Sequence, residues 1–305
     1  MKLSLGVKTD PIEYRYTYEW LFDLMAESGV RYAQLGSFFE MYSLDDDWFH
    51  ALREKAEARG IRIKSVFTSH REMGGFLSGD PAFEKITGAS YRKLIRVAAA
   101  LGADFAGSNM GCVYNDRMEL KEAGVARYVR AMQELSHYAK EQGLRALTVE
   151  PMSCLAEPPT LPEECADLMR GLAEYHAAHA DTVPVYFCGD ISHGYADGER
   201  RVVHDNWSLF EAQIPRMCEF HFKNTDAVFN STFGFGEEER KRGIVDLGRL
   251  RSLVEAGADA FPVEDVTGYL ELNNIKMGRD YTDCVLGPYL KESLAALKQA
   301  FAFSP

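Results

Sequence analysis

The stretch AKEQGLRALTVE, Ala139–Glu150, decides how this chain is read. Its first half ends an amphipathic run, Gly143 stops that run, and ALTV then has the composition of a buried strand. Glycine tolerates the left-handed backbone that closes a helix. A short apolar run bounded in this way suits a parallel strand covered on both faces. The same order recurs in MAESGVRYAQLG (Met25–Gly36), EKAEARGIRIKSVF (Glu54–Phe67), AAALGADFAGSN (Ala98–Asn109) and VEAGADAFPVE (Val254–Glu264). Such repetition is the grammar of βα units.

Working outward, candidate strands fall at about residues 3–8, 32–37, 63–69, 105–110, 145–150, 184–190, 218–223 and 260–265. Helical runs fill the gaps at Thr17–Ser28, Asp46–Arg59, Tyr91–Leu101, Leu120–Gln142, Glu163–Ala180, Trp207–Met217, Leu247–Ala256 and about Leu286–Ala302. Eight alternating pairs predict one α/β domain over residues 1–305, a (β/α)8 barrel. An open doubly wound sheet is the runner-up, but no GxGxxG follows the first strand. The longest irregular stretch, about 227–245, follows the seventh strand and reads as a lid loop. Asp246 would cap the helix after it.

Composition narrows the partners. Hydrophobic residues make up 46% and charged residues 26%, ordinary values for a globular chain. No run approaches the roughly 20 apolar residues of a membrane helix, and no signal-peptide core is evident, so a cytoplasmic location is expected. The net charge of −12 argues against nucleic acid, which is held mainly through lysine and arginine on phosphates. The one dense basic cluster, Arg240–Arg242, follows Glu237–Glu239 and reads as a solvated loop. The six cysteines form no CxxC pair, so buried reduced thiols are expected rather than a zinc ribbon or disulfides.

The chemistry concentrates at strand ends. Glu150, Asp190, His221 and Glu264 sit near the ends of the fifth to eighth candidate strands, in RALTVE, VYFCGD, CEFHF and AFPVE. In a barrel these ends share one mouth. Three carboxylates and one imidazole suit one divalent cation of the Mn²⁺, Mg²⁺, Co²⁺ or Zn²⁺ type. Without it, the carboxylates would repel one another. Each residue alone has an ordinary reading, as a helix cap, an ion-pair partner or a hydrogen-bonded histidine. Four at equivalent positions on successive strands favour the metal. His70 and Asn109 border the same predicted mouth as candidate substrate contacts, and Glu157, in the proline-rich run after the fifth strand, is a further one. His50, His137, His176, His179 and His204 read as surface residues.

The motifs VEPM (Val149–Met152), GDISH (Gly189–His193), EFHFKNTD (Glu219–Asp226) and PVEDVTGY (Pro262–Tyr269) carry a resemblance over nearly the whole chain. The chain resembles the xylose-isomerase-like TIM-barrel superfamily of sugar isomerases and epimerases, which includes tagatose and psicose 3-epimerases. The resemblance implies one metal ion, Mn²⁺ above all, held by Glu150, Asp190, His221 and Glu264. It implies a metal-stabilised enediolate of a keto-sugar or sugar phosphate, with Glu150 and Glu264 removing and returning the proton. His193 would contact a substrate oxygen, and Lys223 would hold one or pair with Asp226. A homo-oligomer, dimer or tetramer, is implied too, while a separate partner subunit stays open. One departure is Ala227, where the sugar epimerases carry an arginine. The alternative is a lyase on the same scaffold, like inosose dehydratases or C-glycoside deglycosidases acting on keto-glycosides. An apurinic-site endonuclease is a remote third, against which the acidic balance and the single four-ligand set both count. The sugar, its phosphorylation and the native metal are open at this level.

Overall fold

The computed structural model describes residues 1–13, 15–70, 75–272 and 285–304. Its centre is a closed barrel of eight parallel strands. These are β1 (Lys2–Lys8), β2 (Tyr32–Leu35), β3 (Arg62–Thr68), β4 (Phe105–Ser108), β5 (Ala146–Val149), β6 (Val185–Asp190), β9 (Met217–Phe222) and β10 (Asp265–Leu270). The remaining two, β7 (Tyr195–Ala196) and β8 (Val202–His204), form a small antiparallel hairpin after β6. Closure comes from β10, which pairs with β1 from Lys2↔Asp265 to Val7↔Leu270. Closing the sheet leaves no strand edge to be protected.

Helices α1 (Tyr18–Glu27), α3 (Asp46–Glu57), α4 (Pro81–Ala100), α5 (Lys121–Glu141), α6 (Pro162–Ala178), α7 (Asn206–Gln213), α9 (Leu247–Ala256) and α10 (Leu286–Ala300) surround it. The short α2 (Phe39–Ser43) and α8 (Glu237–Arg242) lie in connections. Thr17, Asp45, Asp80, Asp205 and Asp246 each accept a backbone N–H at a helix start. Such caps satisfy donors that the first helical turn leaves open. On β9 the alternation is direct. Phe220 and Phe222 face outward onto Phe210 and Phe301, while Glu219 and His221 face the barrel interior.

Three expectations shift. Helix α4 begins at Pro81, ten residues before the sequence reading, because Asp80 caps it and Pro81 suits its first turn. The run Glu237–Arg242 is helical rather than loop, with Lys241 reaching Glu237 at 3.0 Å one turn away. The last strand is residues 265–270, not 260–265. Pro262 is the physical reason, since proline cannot donate to a ladder within a central strand. Cys284 lies outside the described residues. Of the other cysteines, Cys165, Cys188 and Cys218 are buried and free, Cys112 is half-buried and Cys154 is exposed.

Candidate metal and substrate site

Glu150 directly follows β5, Asp190 ends β6, His221 lies near the end of β9 and Glu271 directly follows β10. One potential ligand atom from each lies within 4.8 Å of all the others. The strand register brings them together: Asp190 pairs with His221, and His221 with Tyr269.

Glu264 is not part of this group. It precedes β10, is exposed, and its carbonyl accepts the backbone N–H of Lys2 at the opposite end of the barrel. With the strand displaced along the chain, Glu271 takes the mouth position. The donor types expected from the sequence meet here, with Glu271 in the place expected of Glu264.

His221 organises the cluster. Its Nε2 faces Gln34 Oε1 at 2.8 Å, and its Nδ1 lies 2.9 Å from both Glu150 Oε1 and Glu271 Oε2. Burial opposes a charge on this ring, but Cys188 and the carboxylates Glu271 and Glu150 outweigh it and raise its pKa well above the ordinary value. A ligand histidine usually donates its outer N–H to a fixed acceptor, which orients the other nitrogen toward the metal. Gln34 is that acceptor here.

The carboxylates remain ionised despite burial. Burial works against Glu271, yet Lys223, Lys8 and His221 hold it well below the usual carboxylate range. Asp190 is likewise held far down by His193 and Lys223 against burial. Lys223 Nζ donates to Asp190 Oδ2 at 3.0 Å. Lys8 Nζ lies 2.8 Å from Asp10 Oδ2 and donates to Glu271 Oε1 at 3.3 Å. Glu271 Oε2 is buried with no hydrogen-bond partner among the described residues. A buried carboxylate oxygen 2.9 Å from the His221 imidazole and beside two more carboxylates is what a divalent cation would satisfy, so the donor set fits one.

Above the cluster is a cavity of about 260 Å³ bordered by Lys8, Asn109, Glu150, His193, Lys223 and Glu271. The expected substrate contacts His193, Lys223 and Asn109 therefore reach it. His193 donates Nδ1–H to the Pro151 carbonyl at 2.7 Å, leaving Nε2 3.5 Å from Asp190 Oδ2. His70 and Glu157 do not border the cavity. His70 is fully buried, 2.6 Å from the Tyr42 hydroxyl, and burial pushes its pKa down to about 3, so the ring is neutral. Ala227 is exposed. Thr232, within the 227–245 connection, reaches the cavity wall.

Sequence reading missed Lys8, Asp10, Gln34 and Glu271. Lys8 and Asp10 were visible as the charged end of the first strand, and Pro262 could have moved the last one. Gln34 had no distinguishing signal.

The family model of the xylose isomerase-like TIM barrel matches residues 22–263. None of the curated proteins matches in sequence. A provisional xylose isomerase of Rhodospirillum rubrum ATCC 11170 superposes with a TM-score of 0.80 at 21% identity, covering 99% of this chain and 100% of its own. D-psicose 3-epimerase of Clostridium cellulolyticum H10, with D-tagatose, gives 0.69 at 17% identity, covering 98% of each chain. A provisional 3-DHS dehydratase of Bacillus anthracis, AsbF, gives 0.67 at 12% identity, covering 97% of this chain and 98% of its own. At these identities the likeness is one of fold.

Proposed function

We propose that this chain, which belongs to the xylose isomerase-like TIM barrel family, is a metal-dependent enzyme that moves a proton next to the carbonyl of a keto-sugar or sugar phosphate. The observation that carries this reading is the buried group Glu150, Asp190, His221 and Glu271 at the floor of a polar cavity. These four would hold one divalent cation, Mn²⁺ first, with Mg²⁺, Co²⁺ or Zn²⁺ compatible with the same donors. When bound, the cation supplies Lewis-acid stabilisation of negative charge on a substrate oxygen.

The chain's own groups do the rest. Glu150 takes the proton from the carbon beside the carbonyl, which leaves an enediolate. His193, Lys223 and Asn109 border the cavity where substrate oxygens would lie and orient them. Thr232, in the 227–245 connection, borders the cavity, and this connection would serve as the lid that excludes water. A lyase that begins with the same proton abstraction is the second reading, favoured by the fold shared with the dehydratase.

The test is metal content together with a ketose and ketose-phosphate screen in D₂O, read by NMR. We expect about one Mn²⁺ per chain, as one four-donor group requires, and metal-dependent incorporation of deuterium at carbon. Loss of a β-substituent instead would select the lyase. Absence of metal after loading, or exchange that does not depend on it, would sink the proposal.

A further inference from the structure

The three carboxylates of the cluster differ in what their oxygens are free to do. Asp190 Oδ1 accepts the Ser192 backbone N–H at 2.7 Å, and its Oδ2 accepts Lys223 Nζ at 3.0 Å. Glu271 Oε1 accepts Lys8 Nζ, and its Oε2 is turned into the cluster beside His221. Glu150 Oε1 accepts His221 Nδ1, but its Oε2 has no hydrogen-bond or ion-pair partner among the described residues. Glu150 also borders the cavity.

Lys8 is not free to leave Glu271. It is buried, tied to Asp10 at 2.8 Å, and lies 5.4 Å from the Phe67 ring centroid. Asp10 can take its place because residue 36 is glycine: a Cβ there would come 1.5 Å from Asp10 Oδ1. A carboxylate with one oxygen directed at a metal and the other engaged by a fixed ammonium has no oxygen left for a carbon-bound proton.

We propose that, of the three carboxylates of the cluster, Glu150 alone exchanges protons with substrate, and that Lys8 is a positioning residue that confines Glu271 to the ligand role. This rests on the metal-dependent proton-transfer reading above. The consequence is stereochemical: one base serves one face of the substrate, so the reaction is isomerisation between neighbouring carbons rather than inversion at one carbon. As Glu150 Oε2 bonds the proton, the C–H pair becomes the C=C of the enediolate and the carbonyl π pair moves to oxygen. The same oxygen returns the proton to the adjacent carbon on the same face. The C=C pair forms that C–H bond, the hydroxyl proton on the adjacent oxygen passes to the former carbonyl oxygen, and the new carbonyl forms.

Two measurements test this. The Mn²⁺-loaded protein is given ketoses and ketose phosphates in D₂O, and the products are analysed by NMR. The expected result is deuterium at one of the two prochiral positions with aldose formed. A wild-type chain that inverts a carbon with solvent deuterium overturns the proposal. Separately, Mn²⁺-loaded protein is treated with bromohydroxyacetone, in which a carboxylate oxygen bonds carbon as bromide leaves, and esterified peptides are located by mass spectrometry. We expect label on Glu150 and not Glu271 in wild type, on both in K8M, and the wild-type pattern restored in K8R. Equal labelling of the two glutamates in wild type overturns the proposal. Mn²⁺ affinity of K8M, followed by electron paramagnetic resonance, should fall about tenfold, as for loss of other partners of metal ligands. If the labelling pattern holds but no keto-sugar exchanges a carbon-bound proton, the substrate reading has failed and one-face transfer fails with it.

Discussion

Two layers of the barrel interior hold buried carboxylates and treat them oppositely. At the mouth, Glu150, Asp190 and Glu271 share their space with Lys8, Lys223 and His221, and all three are held below their usual pKa. Two residues back along β9, Glu219 is equally buried but meets only hydroxyls, from Ser65 at 2.9 Å and Thr148 at 3.2 Å. The Lys64 ammonium donates to Thr267 instead, and Glu219 Oε2 has no hydrogen-bond partner among the described residues. Burial therefore dominates, and the Glu219 carboxyl is pushed up to about 7. Burial is common to both layers, so the supply of cations decides which carboxylates stay charged. The mouth layer is built to keep its charge, while the lower layer supports it through Ser65 and Gln34, which ends on His221.

The largest expected break in this comparison is at the mouth. Glu150→Gln should lower turnover by about 10²–10⁴-fold, the usual worth of a positioned general base. Glu271→Gln should instead act mainly through weaker Mn²⁺ binding, with turnover recovering as metal is raised. Steady-state rates across a Mn²⁺ titration separate the two. If Glu150→Gln is rescued by metal and Glu271→Gln is not, the assigned roles are reversed.

The next effect is in the lower layer and is one of stability. Folded Glu219 ionises near pH 7, against an ordinary value of 4.5. With the folded value raised, its contribution is fully present below 4.5 and is lost as pH rises through about 7. Wild type should lose up to about 3 kcal/mol across that window through this residue. Glu219→Gln should escape that loss, so the variant gains on wild type between pH 5 and pH 8.5 in denaturant titrations. A stability difference that is the same at both pH values would show that Glu219 is not held protonated.

The smallest effect is expected at Glu264. Exposed at the far end of the barrel, it touches neither layer. Glu264→Gln should leave Mn²⁺ affinity and turnover as in wild type, with stability within about 0.5 kcal/mol, as for surface substitutions generally. A tenfold loss of metal would return Glu264 to the site and break the assignment of Glu271.

Much of the fold was legible because each βα unit announces itself locally. Gly143 before ALTV, Gly60 before IRIKSVF and Gly102 before ADFAGS mark helix ends by a backbone requirement that neighbouring residues alone satisfy. Glu150, Asp190 and His221 were legible for the same reason, as polar residues ending apolar strands. His193, Asn109 and Lys223 followed from those positions and border the cavity. His70 sat equally close to a strand end but turned inward onto Tyr91 and Tyr42, a choice made by packing.

By itself, then, the sequence determined the alternating strands and helices, the end of the barrel where polar strand-end residues gather, and the carboxylates and imidazole found there. These are set by periodicity, turns and residue type, which act over a few neighbours. Only the tertiary structure decided which glutamate completes the group and which cation restrains it. Lys8 and Glu271 are 263 residues apart in the chain and meet because β1 closes the barrel against β10. Register between strands that distant is set by the closure of the whole sheet, and no local pattern contains it.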